Sequence, residues 1–537
     1  MEAAGGGRRV LTGTGDPLKD EHTLSKQAAT DVGTVAKGGA VQIVGQITAR
    51  SAAFFFNAIA FRVLEAAGFG LYRQVAQVLS IAGQLGLAGF NYAAMRFITL
   101  ARVRKDAPAV RGAARVSLAG TGSASLVVMA GIIMGADLLA AVFKAGAPAA
   151  EQAELADLFR VGAVYVPLFG LMQVLRYCTQ AYKTMVPSVV VGNIIQPAAR
   201  FAIGVGLLAV GASVTGAVGS LAASMAVGSI AGVFAWRRIL TQEERSASPC
   251  STPGPMIRFA LPQGGSSLLG VQSLGLGVII LGIEASDAAV GLFAVALALQ
   301  GPGGVFLSGI VNIWAPVVSD LHDRGAIDRL QSLYQTITRW VVTFSFPVYA
   351  ALILEPDLFV QLFGGSDAAK AAPYVAVLAV GNFFYTGTGP TGYVLSMTGR
   401  PGVNFVNSLV GVILYIAGGI IFVPRYGVLG MAVVDAVVTS IINTARVIEA
   451  KILVGVQPFG RSVLKPIAAT ALGAVILLAW RLIPGDSMAL EGAGIVVAGA
   501  VYFAALKLFG LDPEERYVWE RIRRRGFRRK KRPSADS

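Results

Sequence analysis

Residues 37–61, KGGAVQIVGQITARSAAFFFNAIAF, decide the fold. The stretch is slightly longer than the roughly 20 residues that an α-helix needs to cross the hydrocarbon core of a bilayer. The segment before it, residues 1–36, is polar and Gly-rich, and we predict a disordered cytoplasmic arm without a cleavable signal peptide. From Lys37 onward, similar apolar runs alternate with short charged or Pro/Gly-rich connectors. The sequence therefore predicts a protein built from membrane-spanning helices.

The composition of the whole chain supports this class. Of its 537 residues, 55% are hydrophobic and only 14% are charged, and the mean hydropathy is +0.65. Soluble domains carry about 25% charged residues, so most soluble enzymes are excluded. The apolar runs do not alternate with polar residues, which excludes a β-barrel. We predict about fourteen transmembrane helices, at residues 37–61, 71–98, 113–136, 157–181, 187–210, 213–236, 259–283, 288–316, 333–354, 373–397, 402–423, 427–452, 463–483 and 489–509.

Short matches between the two halves of the chain indicate an internal repeat. Gly70-Leu71-Tyr72 corresponds to Gly291-Leu292-Phe293, and further collinear pairs follow at a nearly constant offset: Lys37 with Arg258, Pro187 with Pro401, Asn193 with Asn407, and Gly216 with Gly430. Internal duplication is common in secondary transporters. We therefore predict two parallel six-helix lobes around a central cavity, residues 37–236 and 259–452, joined by a cytoplasmic linker at 237–258. Two extra helices at 453–510 and a basic cytoplasmic tail at 511–537 complete the chain.

The positive charge of the chain indicates its orientation. The formal net charge is +15, from 45 Lys and Arg against 30 Asp and Glu. Most of these cations lie in connectors on one side of the predicted membrane, which the positive-inside rule assigns to the cytoplasm, together with both termini. The opposite connectors contain Arg62, Lys144, Lys370, Arg425 and Arg481. We predict that the basic tail contacts anionic lipids and not nucleic acid; a docking site for polysaccharide assembly enzymes is the alternative.

Several segments resemble a known family. They are Leu64–Tyr72, the loop SDLHDRGAIDRLQSLYQTITR at residues 319–339, the segment from Glu355 to Gly364, and Tyr426–Gly430. They are similar to the polysaccharide-transporter (Wzx-type) branch of the multidrug/oligosaccharidyl-lipid/polysaccharide (MOP) flippase superfamily, which lies near the lipid II flippases. The resemblance covers residues 37–510. It implies a bacterial inner-membrane flippase that moves a polyprenyl-pyrophosphate-linked oligosaccharide by alternating access between two lobes.

Polar side chains form stripes on the predicted helices of the first half. Those of the first helix fall within about 80° of one another around the helix axis, and those of the second within about 60°. The candidates for lining a substrate cavity are Gln42, Gln46, Arg50, Asn57, Arg73, Gln77, Gln84, Arg176, Gln180 and Arg200. Arg50 lies near the middle of its span, without an acidic residue on its helix. Because a guanidinium group can bind two phosphate oxygens, we expect Arg50 to meet the pyrophosphate of an anionic cargo. Hydrogen bonds that only join helices, or snorkelling of Arg73 and Arg176, are the alternatives.

The second half contains one notable carboxylate. Asp435 shares a helix face with Thr439, Asn443 and Arg446, and it is our candidate for coupling to protons or Na⁺. The alternative is a structural network that joins Asp435 to Arg446. Pro and Gly cluster at Gln300–Gly303 and Gly387–Gly392, which predicts helix breaks with or without a gating role.

The sequence favours a transporter over an enzyme. Two Cys and two His offer no metal cluster, no GxxxxGK[ST] motif is present, and every connector is short, so we predict neither metal, cofactor nor catalytic residues. Coupling to the membrane potential, protons or Na⁺ stays open. The alternatives to an oligosaccharide flippase are a lipid II flippase, an ion-coupled multidrug exporter of the same superfamily, and a membrane scaffold without transport activity.

Overall fold

The computed structural model describes residues 17–510, except for 183, 251–252, 269–274 and 486. All regular elements in these ranges are helical, as predicted. The helices are α1 (Pro17–Leu87), α2 (Phe90–Val103), α3 (Ala107–Met134), α4 (Ala136–Phe143), α5 (Ala149–Gly162), α6 (Tyr165–Gln180), α7 (Val186–Val189), α8 (Gln196–Ala209), α9 (Val214–Ile239), α10 (Gln242–Ser246), α11 (Pro253–Leu268), α12 (Leu276–Glu284), α13 (Asp287–Asp323), α14 (Ile327–Leu354), α15 (Pro356–Gly364), α16 (Ala372–Gly387), α17 (Thr391–Met397), α18 (Pro401–Leu453), α19 (Leu464–Trp480) and α20 (Met488–Phe509). A π-helical turn, Val190–Ile195, joins α7 to α8, and 3₁₀ turns occupy Gly365–Ala371 and Arg461–Val463.

Within the described ranges, ten helical spans are long and apolar enough to cross a membrane. Two of them are bent, because α1 has non-helical backbone at Glu65 and α18 has it at Gly427. Each bend lies where the sequence predicts a connector between two membrane helices. The predicted helices at 259–283 and 373–397 are divided, into α11 with α12 and into α16 with α17. The total of fourteen stays a prediction.

The bundle has two ends that are useful as landmarks. At the Asp287 end lie the bend of α1 at Glu65, the connection from α12 to α13, and α15. At the Arg102 end lie the turn from α2 to α3 and the short helix α10. The sequence predicts that the Arg102 end is cytoplasmic, because most of the basic connectors lie there.

The two predicted lobes meet mainly along α1 and α13, which pack against each other over much of their length. In the first lobe, α9 packs on α6 and α8, and in the second lobe α16 packs on α14 and α18. Helix α11 begins the second half of the chain but packs on α2, so the first part of this broken helix lies against the first lobe. The second part, α12, packs on α18, so the broken helix α11–α12 contacts both halves of the chain.

The two ends of the described chain are the start of α1 and the last two helices. Helix α1 begins at Pro17, so the helical backbone at 17–36 differs from the predicted disordered arm; strong helix formers such as Lys19, Glu21 and Gln27 favour helix there. The last two helices dock on α14, where the Tyr502 hydroxyl donates to the carbonyl oxygen of Thr343 at 2.6 Å. The predicted basic tail, 511–537, lies outside the described residues.

Candidate functional site

Arg50 bridges the two lobes at the centre of the bundle. From α1 it donates through Nη1 to the carbonyl oxygen of Gly301 and through Nη2 to the Ser308 hydroxyl, both at 2.9 Å and both on α13. Among the described residues, Arg50 forms no ion pair, so both of its acceptors are neutral. The guanidinium charge is therefore held in place without being neutralised, which leaves it able to bind an anion.

The Pro/Gly cluster at Gln300–Gly303 forms the surface of α13 that receives Arg50, but the helix break predicted there is wrong, since α13 is continuously helical from Asp287 to Asp323. Pro302 lacks a backbone N–H, and the glycines beside it remove side-chain bulk from this face of α13. A methyl group at Gly303 would overlap the ring of Tyr349, and one at Gly304 would lie 3.6 Å from Nη1 of Arg50. The Pro/Gly cluster and the arginine, which the sequence presented as separate features, thus belong to one contact.

Tyrosines of the second lobe surround the same region and were missed by the sequence predictions. Tyr349 and Tyr385 lie within electrostatic range of Arg50, and Tyr385 lies within the same range of Arg446 and Tyr393. The only sequence signal for this group is the presence of phenol side chains inside apolar helices. The group adds hydroxyls and aromatic faces to the site.

The other predicted polar residues of α1 have mixed surroundings. Gln42, Gln46, Asn57 and Gln84 are partly buried, and the Asn57 Oδ1 atom is buried without a hydrogen-bond partner among the described residues. Gln77 lies against Gly275, the residue before α12, where a side chain would overlap its amide group. The polar stripe of α1 therefore reaches the second half of the chain at Gln77.

Arg176 and Gln180 are held within the first lobe. Arg176 donates to Oε1 of Gln173 at 2.8 Å, to the carbonyl oxygen of Ser188 at 3.2 Å and to Oδ1 of Asn193 at 3.4 Å. Gln180 donates to the Ser188 hydroxyl at 2.7 Å. These bonds tie α6 to the start of the next membrane helix, as the structural alternative for these residues predicts.

Arg200 lies beside a separate cavity of about 210 Å³ between α1 and α8. It donates to the Tyr72 hydroxyl, and its guanidinium lies 5.2 Å from the centre of the Phe56 ring. Arg73, the residue after Tyr72, lies within electrostatic range of Arg200. Arg73 and Arg200 are therefore grouped together, at a different place from Arg50.

Asp435 is partly buried within the second lobe and accepts a hydrogen bond from the Tyr415 hydroxyl at 2.5 Å. Arg446 instead donates to the Ser408 hydroxyl at 3.4 Å, which is a long contact. Asp435 and Arg446 have different hydrogen-bond partners, so the described contacts do not join them in one network.

Additional contacts between the lobes lie at the Asp287 end. Asp287 accepts from Nε2 of Gln74 at 2.9 Å and from Nζ of Lys144, which also lies 3.5 Å from Oε2 of Glu151. Arg62 donates to the carbonyl oxygens of Leu362 at 2.8 Å and Phe363 at 3.1 Å, on α15. The sequence treated Arg62 and Lys144 only as topological charges, because partners 143 or more residues away leave no local signal.

Comparison with known proteins decides the family. Residues 35–322, more than half of the chain, match the model of the family described as polysaccharide biosynthesis protein. The chain belongs to this polysaccharide biosynthesis family. A comparison with curated protein sequences gives no match.

Solved structures show that this family member has the MOP superfamily fold. It is similar to the lipid II flippase MurJ in an inward closed conformation, with a TM-score of 0.68 and 14% identity, over 88% of this chain and 98% of that chain. It is also similar to an inward-facing multidrug resistance MATE transporter, with a TM-score of 0.63 and 15% identity over 78% and 98% of the two chains. A MOP superfamily transporter from Pyrococcus furiosus matches with a TM-score of 0.57 and 15% identity over 79% and 95%. The predicted fold class is thereby confirmed, and the family match agrees with the predicted polysaccharide branch.

Proposed function

We propose that this protein is a flippase that moves a polyprenyl-pyrophosphate-linked oligosaccharide across the bacterial cytoplasmic membrane by alternating access. The observation that carries the proposal is the uncompensated Arg50 at the contact between the lobes of a polysaccharide biosynthesis family member. An arginine without a carboxylate partner suits a cargo that brings its own negative charge. The protein would move its cargo without making or breaking a covalent bond.

The contact also suggests how binding drives movement. A pyrophosphate oxygen is a stronger acceptor for a guanidinium than the Gly301 carbonyl or the Ser308 hydroxyl, because its negative charge strengthens the hydrogen bond. Cargo whose phosphate replaces Gly301 and Ser308 as the acceptor of Arg50 would therefore remove this link between α1 and α13. A ligand shifts a conformational equilibrium when it binds one state more tightly, and here the favoured state is the one in which Arg50 has left α13.

The ends of the bundle give this movement a direction. Asp287, Lys144 and Arg62 connect the lobes at the Asp287 end, which the charge distribution predicts to be external. Cargo would therefore enter from the cytoplasmic side and leave after these contacts break. The lipid tail would stay in the bilayer while the sugar headgroup passes between the lobes, and both termini would be cytoplasmic.

Asp435 favours a second candidate function, an ion-coupled exporter of small molecules. A partly buried carboxylate on a membrane helix that accepts a hydrogen bond from Tyr415 is suited to gain and lose a proton or a Na⁺ ion during a transport cycle. The likeness to MATE transporters is compatible with this function, although it concerns the fold.

Reconstitution into proteoliposomes separates the two candidates. A fluorescent polyprenyl-pyrophosphate oligosaccharide placed in one leaflet tests translocation, and a lipophilic organic cation with an imposed proton or Na⁺ gradient tests export. The flippase proposal predicts movement of the lipid-linked sugar. Gradient-dependent movement of the cation alone, abolished by Asp435→Asn, would replace the flippase with the exporter.

A further inference from the structure

The cavity between α1 and α8 has a defined construction. On α1 its wall consists of Ala49, Ala52, Ala53 and Phe56, and on the opposite side it includes Gly192 and Arg200. Above and below the cavity the two helices are in close contact, since a methyl group on Gly45 would collide with Val189 and one on Gly204 with Phe56. The space is therefore not a general separation of the helices but a local widening between two tight contacts.

The local backbone explains the widening. Residues Val190–Ile195 form a π-helical turn, in which one extra residue is accommodated and the helix becomes wider. Pro197 follows directly and also lines the cavity; without an N–H it leaves the helical hydrogen bond to the carbonyl of Asn193 unmade. Turns of this kind occur often at functional sites. The sequence thus introduces two departures from regular helix where the cavity lies.

The charge beside the cavity is positive and unbalanced. Arg200 lines the cavity, Arg73 lies within electrostatic range of it, and the Nε atoms of both are buried without a hydrogen-bond partner among the described residues. Across the described part of the chain, neither arginine forms an ion pair. Two neighbouring, partly buried cations repel each other, so an anion beside them would stabilise the folded protein.

We infer that this cavity binds a small inorganic anion of the halide class, held by Arg200 and supported by the field of Arg73. Alanine, phenylalanine and proline side chains form much of the wall, and Arg200 and Gln196 are its strongly polar members. A divalent phosphate needs many donors to replace its hydration, whereas a monovalent halide is less costly to desolvate. Ala49 lines the cavity on the α8 side of α1, whereas the neighbouring Arg50 donates to α13, so the two sites use different faces of α1. The anion site does not depend on which cargo the protein moves.

Anion-dependent thermal stability tests the inference. The full-length protein in detergent is unfolded thermally in NaCl, NaBr, sodium phosphate and sodium gluconate at matched ionic strength. We expect chloride and bromide to raise the unfolding midpoint over gluconate by about 1–3 °C, in a saturable way. Arg200→Gln should remove this dependence. Arg96→Gln is the matched control, since that arginine belongs to the same lobe and lies 4.5 Å from the centre of the Phe259 ring without lining the cavity, and it should keep the dependence.

A second variant and a direct observation guard against a failure of Arg200→Gln to fold. Ala53→Leu fills the cavity while keeping both arginines, and it should also abolish the halide effect. Bromide-grown crystals should give an anomalous peak within hydrogen-bond distance of Arg200. Equal midpoints in chloride and gluconate, a halide effect that survives Arg200→Gln, or bromide bound only elsewhere would overturn the inference. A larger effect of phosphate, or of added polyprenyl phosphate, would replace the halide with a phosphate group.

Discussion

Gly70 and Gly291, which occupy matching positions in the two halves of the sequence, lie against each other where the two lobes meet. A methyl group on Gly70 would lie 3.0 Å from the backbone nitrogen of Gly291 and would overlap the carbonyl oxygen of Asp287. A methyl group on Gly291 would overlap the carbonyl oxygen of Ala66. Because neither position has room for a side chain, the backbones of α1 and α13 approach closely at the Asp287 end. The repeat therefore places the same small residue on both sides of one contact.

Gly291→Ala should separate the lobes at this contact. We expect the free energy of unfolding to fall by about 1–3 kcal/mol, because backbone atoms cannot yield as a flexible side chain can. Thermal unfolding in detergent measures the effect. Gly122→Ala is the matched control, since Gly122 is also helical but has nothing within 4 Å of the added methyl group, and its midpoint should stay equal or rise. Equal behaviour of the two variants would argue against the close contact.

Asp287 and Lys144 should be energetically coupled across the lobes. Their side chains are 15% and 14% exposed, so their interaction is screened less than that of a surface pair. A double-mutant cycle with Asp287→Asn and Lys144→Met should give a coupling of about 1–2 kcal/mol. The exposed pair Arg324 and Asp320 serves as the control, with a coupling below about 1 kcal/mol. Additive effects of the Asp287 and Lys144 substitutions would contradict the link.

The pair Asp287 and Lys144 should influence which end of the space between the two lobes is open. With Asp287→Asn, we expect a cysteine introduced at Ser308, beside Arg50, to react faster with a membrane-impermeant thiol reagent added from the Asp287 end. Cys178 and Cys250 would first be replaced by serine, so that only the introduced thiol reacts. An unchanged reaction rate would mean that the Asp287 contacts do not hold this end closed.

Glu244 stabilises the linker between the lobes, and this stabilisation depends on pH. Burial opposes its ionisation, but the backbone N–H of Thr241, the Tyr182 hydroxyl at 2.7 Å and the charge of Arg102 outweigh burial and hold the pKa of Glu244 below its ordinary value of 4.5. Because the folded-state pKa is the lower one, ionised Glu244 stabilises the linker above about pH 4.5, and this is lost as the pH falls through the folded-state pKa.

Hydrogen–deuterium exchange at residues 241–246 measures the stability of this linker. At pH 7, Glu244→Gln should accelerate exchange there, since the amide cannot replace the charge that Arg102 and Tyr182 contact. Glu243→Gln is the matched control, because Glu243 is the exposed neighbour of Glu244. Protection in Glu244→Gln equal to that of the wild type would show that the carboxylate is not needed.

Much of the architecture could be predicted because hydropathy is a local property. The apolar runs predicted where the membrane helices lie, although the structure joins some predicted helices across a bend and divides others. The matched glycines indicated the repeat. The partners of Arg50 could not be predicted, since they depend on how α1 lies against α13, which is set by packing over the whole interface. For the same reason Arg50, Arg176 and Arg200 looked alike in sequence, yet one bridges the lobes, one is held within a lobe and one lines a cavity.

The most direct test of the proposed function is the translocation rate of a polyprenyl-pyrophosphate oligosaccharide in proteoliposomes, compared for wild type, Arg50→Ala, Arg50→Lys and the exposed control Arg104→Ala at equal protein density. The account predicts that Arg50→Ala lowers the rate at least about tenfold, since about 1.4 kcal/mol of lost binding has that effect. Arg50→Lys should be intermediate because it keeps the charge without the planar fork, and Arg104→Ala should match the wild type. Equal rates for Arg50→Ala and the wild type would contradict the central role of Arg50.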